Sequence, residues 1–191
     1  MLVQGLLDLF ESGHDVKWLE LAIALQQRQD QLFWDASAGR YATGASAPEV
    51  VRGLLSERDD DTPAANSVAA LNLLRLAALT GNEMWRMRPA MIFQSFGGRL
   101  RTAGALYPQL AAAYESSLIA PTITVVVGDS RTQEARDLLR AIHDRWEPMR
   151  AVIVVPRKGA GRDRVVKTLP FVASLAGDPE HAVVYQCAGG E

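Results

Sequence analysis

"APTITVVVGD", residues 120–129, is where the period of the sequence changes. Thr122 to Val127 is an unbroken β-branched and apolar run, too short for a helix and without polar alternation, so it reads as a strand buried on both faces. Gly128-Asp129 ends it, and Ser130-x-x-Gln133 has the form of a capping box that opens a helix. Ala135, Leu138, Leu139, Ile142 and Trp146 follow at helical spacing. Ala151 to Val155 is a second strand, stopped by Pro156. After a glycine-containing loop and a short helical or turn segment around Leu169 to Leu175, Ala182 to Tyr185 is a third. Strand, helix, strand with apolar strands predicts a small, mostly parallel three-stranded α/β lobe covered by helices.

Before Ala120-Pro121 the chain reads as helices throughout. Leu2, Val3, Leu6, Leu7, Leu9 and Phe10 form an apolar face with no N-terminal cap, and Gly13 is expected to end it as a left-handed residue. Asp15 can cap the next helix, whose apolar positions Trp18, Leu19, Leu21, Ala22, Leu25 and Leu32 recur at helical spacing. Gly39 to Gly44 is a turn and Pro48 to Asp61 a polar connection. A third helix runs from about Ala64 to Leu79 and closes at Gly81. Glu83 to Arg101 and Pro108 to Leu118 supply two more. The division expected is a helical part over 1–119 and an α/β lobe over 120–191. A first helix that starts mid-face and a third strand ending at Cys187 suggest a chain cut from something longer.

Composition narrows the function classes. The 191 residues are 48% hydrophobic and 22% charged, as in a globular protein. A net charge of -2 gives no electrostatic reason to expect nucleic acid or an anionic membrane as a partner. No apolar run is long enough to span a bilayer, and the first residues do not read as a secretory signal, so a cytoplasmic location is the default. The single cysteine, Cys187, excludes an internal disulfide framework and reads as an inert thiol. Lys17, Lys158 and Lys167 are the only lysines; the predominance of arginine is that of a GC-rich genome.

Several residues invite chemical readings. Asp59, Asp60 and Asp61 are adjacent, so their side chains splay apart, and a solvated loop is expected rather than a paired acid and base. His14, His143 and His181 lack the spacing of metal ligands and read as surface residues; no metal or cofactor is expected. Trp18, Phe33, Trp34 and Tyr41 can floor a sugar site or simply pack, with Trp34 and Tyr41 flanking the glycine turn. Gly128 and Ser130 lie where doubly wound sheets bind ligands, but without the glycine spacing of a dinucleotide site. The Lys158-Gly159-Ala160-Gly161-Arg162 segment can hold a phosphate through backbone N–H groups and cations, with a mobile solvated loop as the plainer reading.

The segments "QGLLDLFESG", "WLELAIAL", "LFWDASAGRYATG", "PAANSVAALNLLRLAALTG", "VVVGD" and "VVYQC" occur in this order. Together they resemble the C-terminal third of the YyaL, or spermatogenesis-associated protein 20, family. These large proteins join a thioredoxin-like domain to a six-hairpin (α/α) barrel. The resemblance implies that residues 1–119 are the last hairpins of an incomplete (α/α) toroid similar to that of sugar epimerases, followed by the family's small α/β extension. It implies partners in the remainder of a parent chain, the thioredoxin-like domain and earlier barrel helices. A homodimer through exposed helices is the alternative. In the family a second cysteine usually follows the first within a few residues, and the sequence stops at Glu191, so the resemblance implies that Cys187 is without that partner here. The loop before the third helix would stand at the mouth of the barrel cavity, with Asn66 and Ser67, and with Asp61, Trp34 and Tyr41 nearby, able to meet a polyol. Ala64-Ala65 departs from the family's Ser-Gly pair here. Equally, Asp61 or Thr62 caps that helix and Asn66 satisfies a neighbouring backbone. The function expected is a non-catalytic scaffold or domain-contact piece. The alternatives are part of an epimerase- or isomerase-like sugar cavity, or a nucleotide- or phosphate-binding lobe.

Overall fold

In the computed structural model of the chain, residues 1–42, 57–145 and 147–188 are described. Most of the Pro48 to Asp61 connection, Gly44, Trp146 and the segment after Ala188 lie outside the described residues. Helix α1 (Leu2–Gly13) and α2 (Val16–Phe33) form a hairpin, joined at His14 and Asp15. His14, not Gly13, adopts the left-handed conformation (φ 55°) and donates its N–H to Phe10. Asp15 caps α2 by accepting from the Lys17 N–H, as its position predicts.

A two-stranded ribbon, β1 (Trp34–Asp35) and β2 (Arg40–Tyr41), follows where only a turn was expected. Asp35 builds its bend by accepting from Ser37 and Ala38. Gly39 (φ +65°) is needed twice over, because a Cβ there would also press to 3.3 Å from the Met91 carbonyl oxygen. Helix α3 (Ala65–Thr80) ends at Gly81 (φ 66°) and turns through Asn82 into α4 (Glu83–Ala103). Neither Asp61 nor Thr62 caps α3. Ala64 holds the N-cap position with no side-chain bond, and its N–H goes back to Asp59 Oδ1. Helix α5 (Pro108–Ser117) completes this part.

The sheet has the order β4-β3-β5. Strands β3 (Thr122–Val127) and β4 (Arg150–Val155) are parallel, Thr122 opposite Arg150 and Val127 opposite Val155. Strand β5 (Val183–Ala188) is antiparallel to β3, so the sheet is mixed rather than mostly parallel. The reason lies in the segment before it. Helix α7 (Ala160–Thr168) and a 3-10 turn (Pro170–Ser174) carry the chain down the sheet, and residues 175–182 bring it back to the carboxyl end of β3. Asp178 fixes that return by accepting from the Glu180 and His181 N–H groups, both at 2.8 Å.

Alternation along the strands explains how both faces are covered. Val126, Val152 and Val154 point to α6 (Gln133–Asp144), packing with Leu139 and Ile142. Ile123, Val125, Val127, Ile153 and Val155 point the other way and join one core with Leu7, Phe10, Leu19, Leu73, Leu76 and, from α7, Val165. Hydrophobic burial therefore runs without a break across Ala120-Pro121. Two local expectations at this end change. Thr132, not Ser130, caps α6, accepting from the Ala135 N–H. The segment at Lys158 to Arg162 is not a free loop but the entrance of α7.

Candidate functional site

Two concave regions carry the sequence-derived candidates. The first is a cleft of about 620 Å3 beside the entrance of α3, lined by Gln29, Phe33, Tyr41, Asp61 and Pro63 among others. Tyr41 and Asp61 reach it. Asn66, Ser67 and Trp34 are not in its wall. Asn66 is 4% exposed and Ser67 1%. The Asn66 carboxamide is turned to a backbone: Oδ1 accepts from the Tyr41 N–H at 2.8 Å, and Nδ2 donates to the Tyr41 carbonyl at 2.9 Å. Burial, rather than exhaustion of its donors, keeps it from a polyol in the cleft. The three adjacent aspartates do not all form the solvated loop expected of them. Asp59 caps α5 through the Gln109 and Leu110 N–H groups, while Asp60 and Asp61 are exposed.

Behind Tyr41 lies a buried polar network that spacing alone did not bring out. The Tyr41 hydroxyl donates to Asp30 Oδ1 at 2.5 Å, and Gln26 Nε2 donates to both. Trp85 Nε1 donates to Asp30 Oδ2 at 2.8 Å, and the Arg88 guanidinium sits 2.5 Å from the same oxygen. Burial first, and the bond to Asp30 second, drive the Tyr41 hydroxyl far above the usual phenol range. Trp34 meets Tyr41 edge-on at 5.1 Å and stacks under Arg88 at 4.7 Å, so the aromatic pair is packed inward. One signal in the sequence pointed here: Gln26 and Asp30 continue the buried Leu19 and Ala22 stripe of α2, polar residues on an apolar face.

The second region is a cleft of about 600 Å3 at the carboxyl ends of β3 and β4. Gly128, Ser130 and Lys158 from the sequence reading line it, joined by His14, Asp129, Arg131, Arg157, Gly161 and Arg164. Gly159 and Arg162 are not in its wall. Arg162 is a buttress, donating to the carbonyls of Pro156, Ala173 and Leu175. Arg131 grips Asp129 with Nε and Nη2 at 3.0 and 2.9 Å, which pulls that carboxyl down to about 2. Arg164 is held by Glu20 from α2. His14 is not a free surface residue: its ring stacks near His143 (6.4 Å) and its Nδ1 is buried with no partner among the described residues. Burial, then the neighbouring His143, lowers its pKa. His181 does sit on the surface, 3.3 Å from Glu134.

Among the described residues no group of histidine, cysteine and carboxylate side chains could hold a metal ion, and no helix is long and apolar enough to cross a membrane. Cys187 is a free, partly buried thiol on β5, opposite Ile123.

No protein-family model matches the chain. It is 32% identical over 190 residues to human spermatogenesis-associated protein 20, which covers 97% of this chain. The rat protein of that name gives 32% over 186 residues. The chain belongs to the spermatogenesis-associated protein 20 family. A more distant member of the comparison is the uncharacterized protein B0495.5 of Caenorhabditis elegans, 26% identical over 188 residues. The chain spans about a quarter of the length of these curated relatives, 23% of the rat protein and 25% of the nematode one. In this member of the spermatogenesis-associated protein 20 family the described residues form three helical pairings and a mixed sheet, with the polar network buried rather than presented.

Proposed function

We propose that the chain is a non-catalytic structural module of a larger protein, and that its task is contact with the remaining domains. One observation carries this reading. A groove of about 340 Å3 between α1, α2 and α3 is rimmed by Met1, Leu2 and Leu32, which are 59%, 67% and 42% exposed. Its floor includes Val68 and Asn72. Asn72 is 2% exposed, yet its Oδ1 has no partner among the described residues. Exposed apolar side chains around an orphaned buried acceptor suit an incoming helix that brings both apolar cover and one donor. Relatives about four times as long are consistent with such an occupant, namely earlier helices of an (α/α) barrel. The sugar-cavity alternative draws on the cleft at Tyr41 and Asp61, but the carboxamide it needs is committed to the Tyr41 backbone.

Light scattering on the isolated chain tests the reading. The wild type is expected to self-associate through the open groove, and Leu2→Glu with Leu32→Glu to return it to a monomer. A wild-type chain that stays monodisperse and monomeric at high concentration sinks it.

A further inference from the structure

We infer that α6 is an acid-responsive cover on the sheet: protonation of the histidines at its two ends frees its last two turns and tightens its first, so that the helix swings out from Val126, Val152 and Val154. This is independent of the contact role of the groove, which lies between α1, α2 and α3 and is lined by no histidine.

The cover is thin. Of the 12 residues of α6, only Ala135 and Leu139 are buried. Leu139, with Ile142 and Ala182 beside it, closes over the three valines in a cluster separate from the continuous core on the opposite face. An element with so few buried apolar side chains is among the first to open locally.

The other anchors of α6 are at its ends, and all three histidines of the chain are there. At the first turn, Glu134 Oε2 accepts from the Ala182 N–H at 3.2 Å, and Oε1 stands 3.3 Å from His181 Nδ1. At the last turn, the His143 ring stacks on that of His14 at the α1–α2 corner, with centroids 6.4 Å apart and planes 23° from parallel. Positions far apart in the sequence thus converge on one helix.

Protonation acts on the two ends with opposite sign. His181 faces carboxylates: Glu134, Asp178, which accepts its backbone N–H, and the adjacent Glu180. A positive imidazole there completes an ion pair and draws the first turn of α6 onto the segment before β5. His14 and His143 face each other, so protonating both brings like charges together. The carboxylates of the adjoining cleft are already taken, Asp15 by Lys17 and Asp129 by Arg131. Its cations only add to the repulsion. Arg164 is paired with Glu20, Lys158 lies in the wall, and Arg157 is turned to the Pro179 carbonyl, its Nε buried and without a partner among the described residues. On α6 itself, Arg140 stands one turn before His143, beside Asp137, and Asp144 follows it; all three are exposed, where solvent screens them.

The α1–α2 corner does not yield to this repulsion, because Phe10, Val16 and Leu19 tie it to the core. The end of α6 does. Lifting it also wets His14 Nδ1, which is buried and unpartnered among the described residues. Burial and then His143 lower the His14 pKa, as such a contact requires.

Hydrogen exchange on the chain at pH 7.5 and 5.5, corrected for intrinsic rates, tests this. At the lower pH, Leu139 to Asp144 are expected to lose about tenfold more protection than Leu73 and Leu76 of α3, while the Ala182 amide, bonded to Glu134, keeps its own. His143→Gln, at an exposed position, should abolish the extra loss and leave protection at pH 7.5 unchanged. Glu134→Gln removes the ion pair that acid strengthens, so Ala182 should then exchange faster than in the wild type at pH 5.5. A loss shared equally by α3, as general acid destabilisation gives, overturns the inference. So does α6 protection that pH leaves unchanged, or a last-turn loss that survives His143→Gln.

Discussion

Asn66 pairs with the backbone of Tyr41 as a neighbouring strand would, accepting its N–H at 2.8 Å and donating to its carbonyl at 2.9 Å. A side chain at the first turn of α3 thereby extends the β1–β2 ribbon by one rung. The ribbon needs it, because two residues per strand give few bonds of their own.

Asn66→Ala should destabilise the protein by about 2–4 kcal/mol, since it strands a buried donor and a buried acceptor together. Asn66→Asp keeps the acceptor but loses the donor and buries a charge, so it should not rescue. Chemical denaturation measures both. A loss below about 0.5 kcal/mol for Asn66→Ala would show that the ribbon holds without this rung.

The buried network makes two substitutions unequal. Tyr41→Phe removes a hydroxyl that donates to Asp30 and accepts from Gln26, and should cost about 1–3 kcal/mol. Asp30→Ala should cost more, about 3–5 kcal/mol, because it leaves the Arg88 guanidinium buried without its carboxylate. Equal losses in denaturant midpoint would mean that Arg88 finds water on its own.

How much of this was legible follows from what each element depends on. The helices of residues 2–117 and strands β3 and β4 rest on local periodicity, and they appear within a residue or two of where that periodicity puts them. The mixed sheet did not show, because β5 has the same apolar run in either direction. Its orientation depends on how far residues 169–182 carry the chain, a long-range matter. Asn66 was visible as a residue of interest, but whether its amide faced a cavity or a backbone depended on the ribbon, whose two-residue strands carry no period. Arg157 was legible only as one of seventeen arginines. Its orphaned Nε exists only once Pro179 and the β5 return segment have closed over it.

The continuous core across Ala120-Pro121 has a thermodynamic consequence. Ile153 is fully buried on the sheet face that meets the helices, so Ile153→Ala should cost about 2–5 kcal/mol. The loss should appear equally in tryptophan fluorescence, dominated by Trp18, Trp34 and Trp85 of the helical part, and in far-ultraviolet ellipticity. Transitions that separate by probe, with the tryptophan midpoint unmoved, would show that the helical part unfolds on its own.

His14 gives the fold a pH dependence of known sign. It sits left-handed at the α1–α2 corner, partly buried, with His143 from α6 stacked beside it and Asp15, Asp129 and Arg164 around the same cleft. Burial first, and His143 second, hold its folded pKa below the ordinary histidine value. The unfolded chain therefore binds the proton more readily, and between the two values it carries more protons than the folded one. Stability is complete above about pH 6.5 and falls as the pH drops below it toward the folded pKa. Asp15 and Asp129, beside the same cleft, are held below the usual carboxylate range by Lys17 and Arg131. Asparagine tolerates the left-handed conformation and has no proton to gain, so His14→Asn should flatten the profile between pH 7.5 and 5.5. Denaturant midpoints at the two values measure this. If wild type and variant lose stability in parallel, the acid sensitivity belongs to another group and His14 is protonated without penalty.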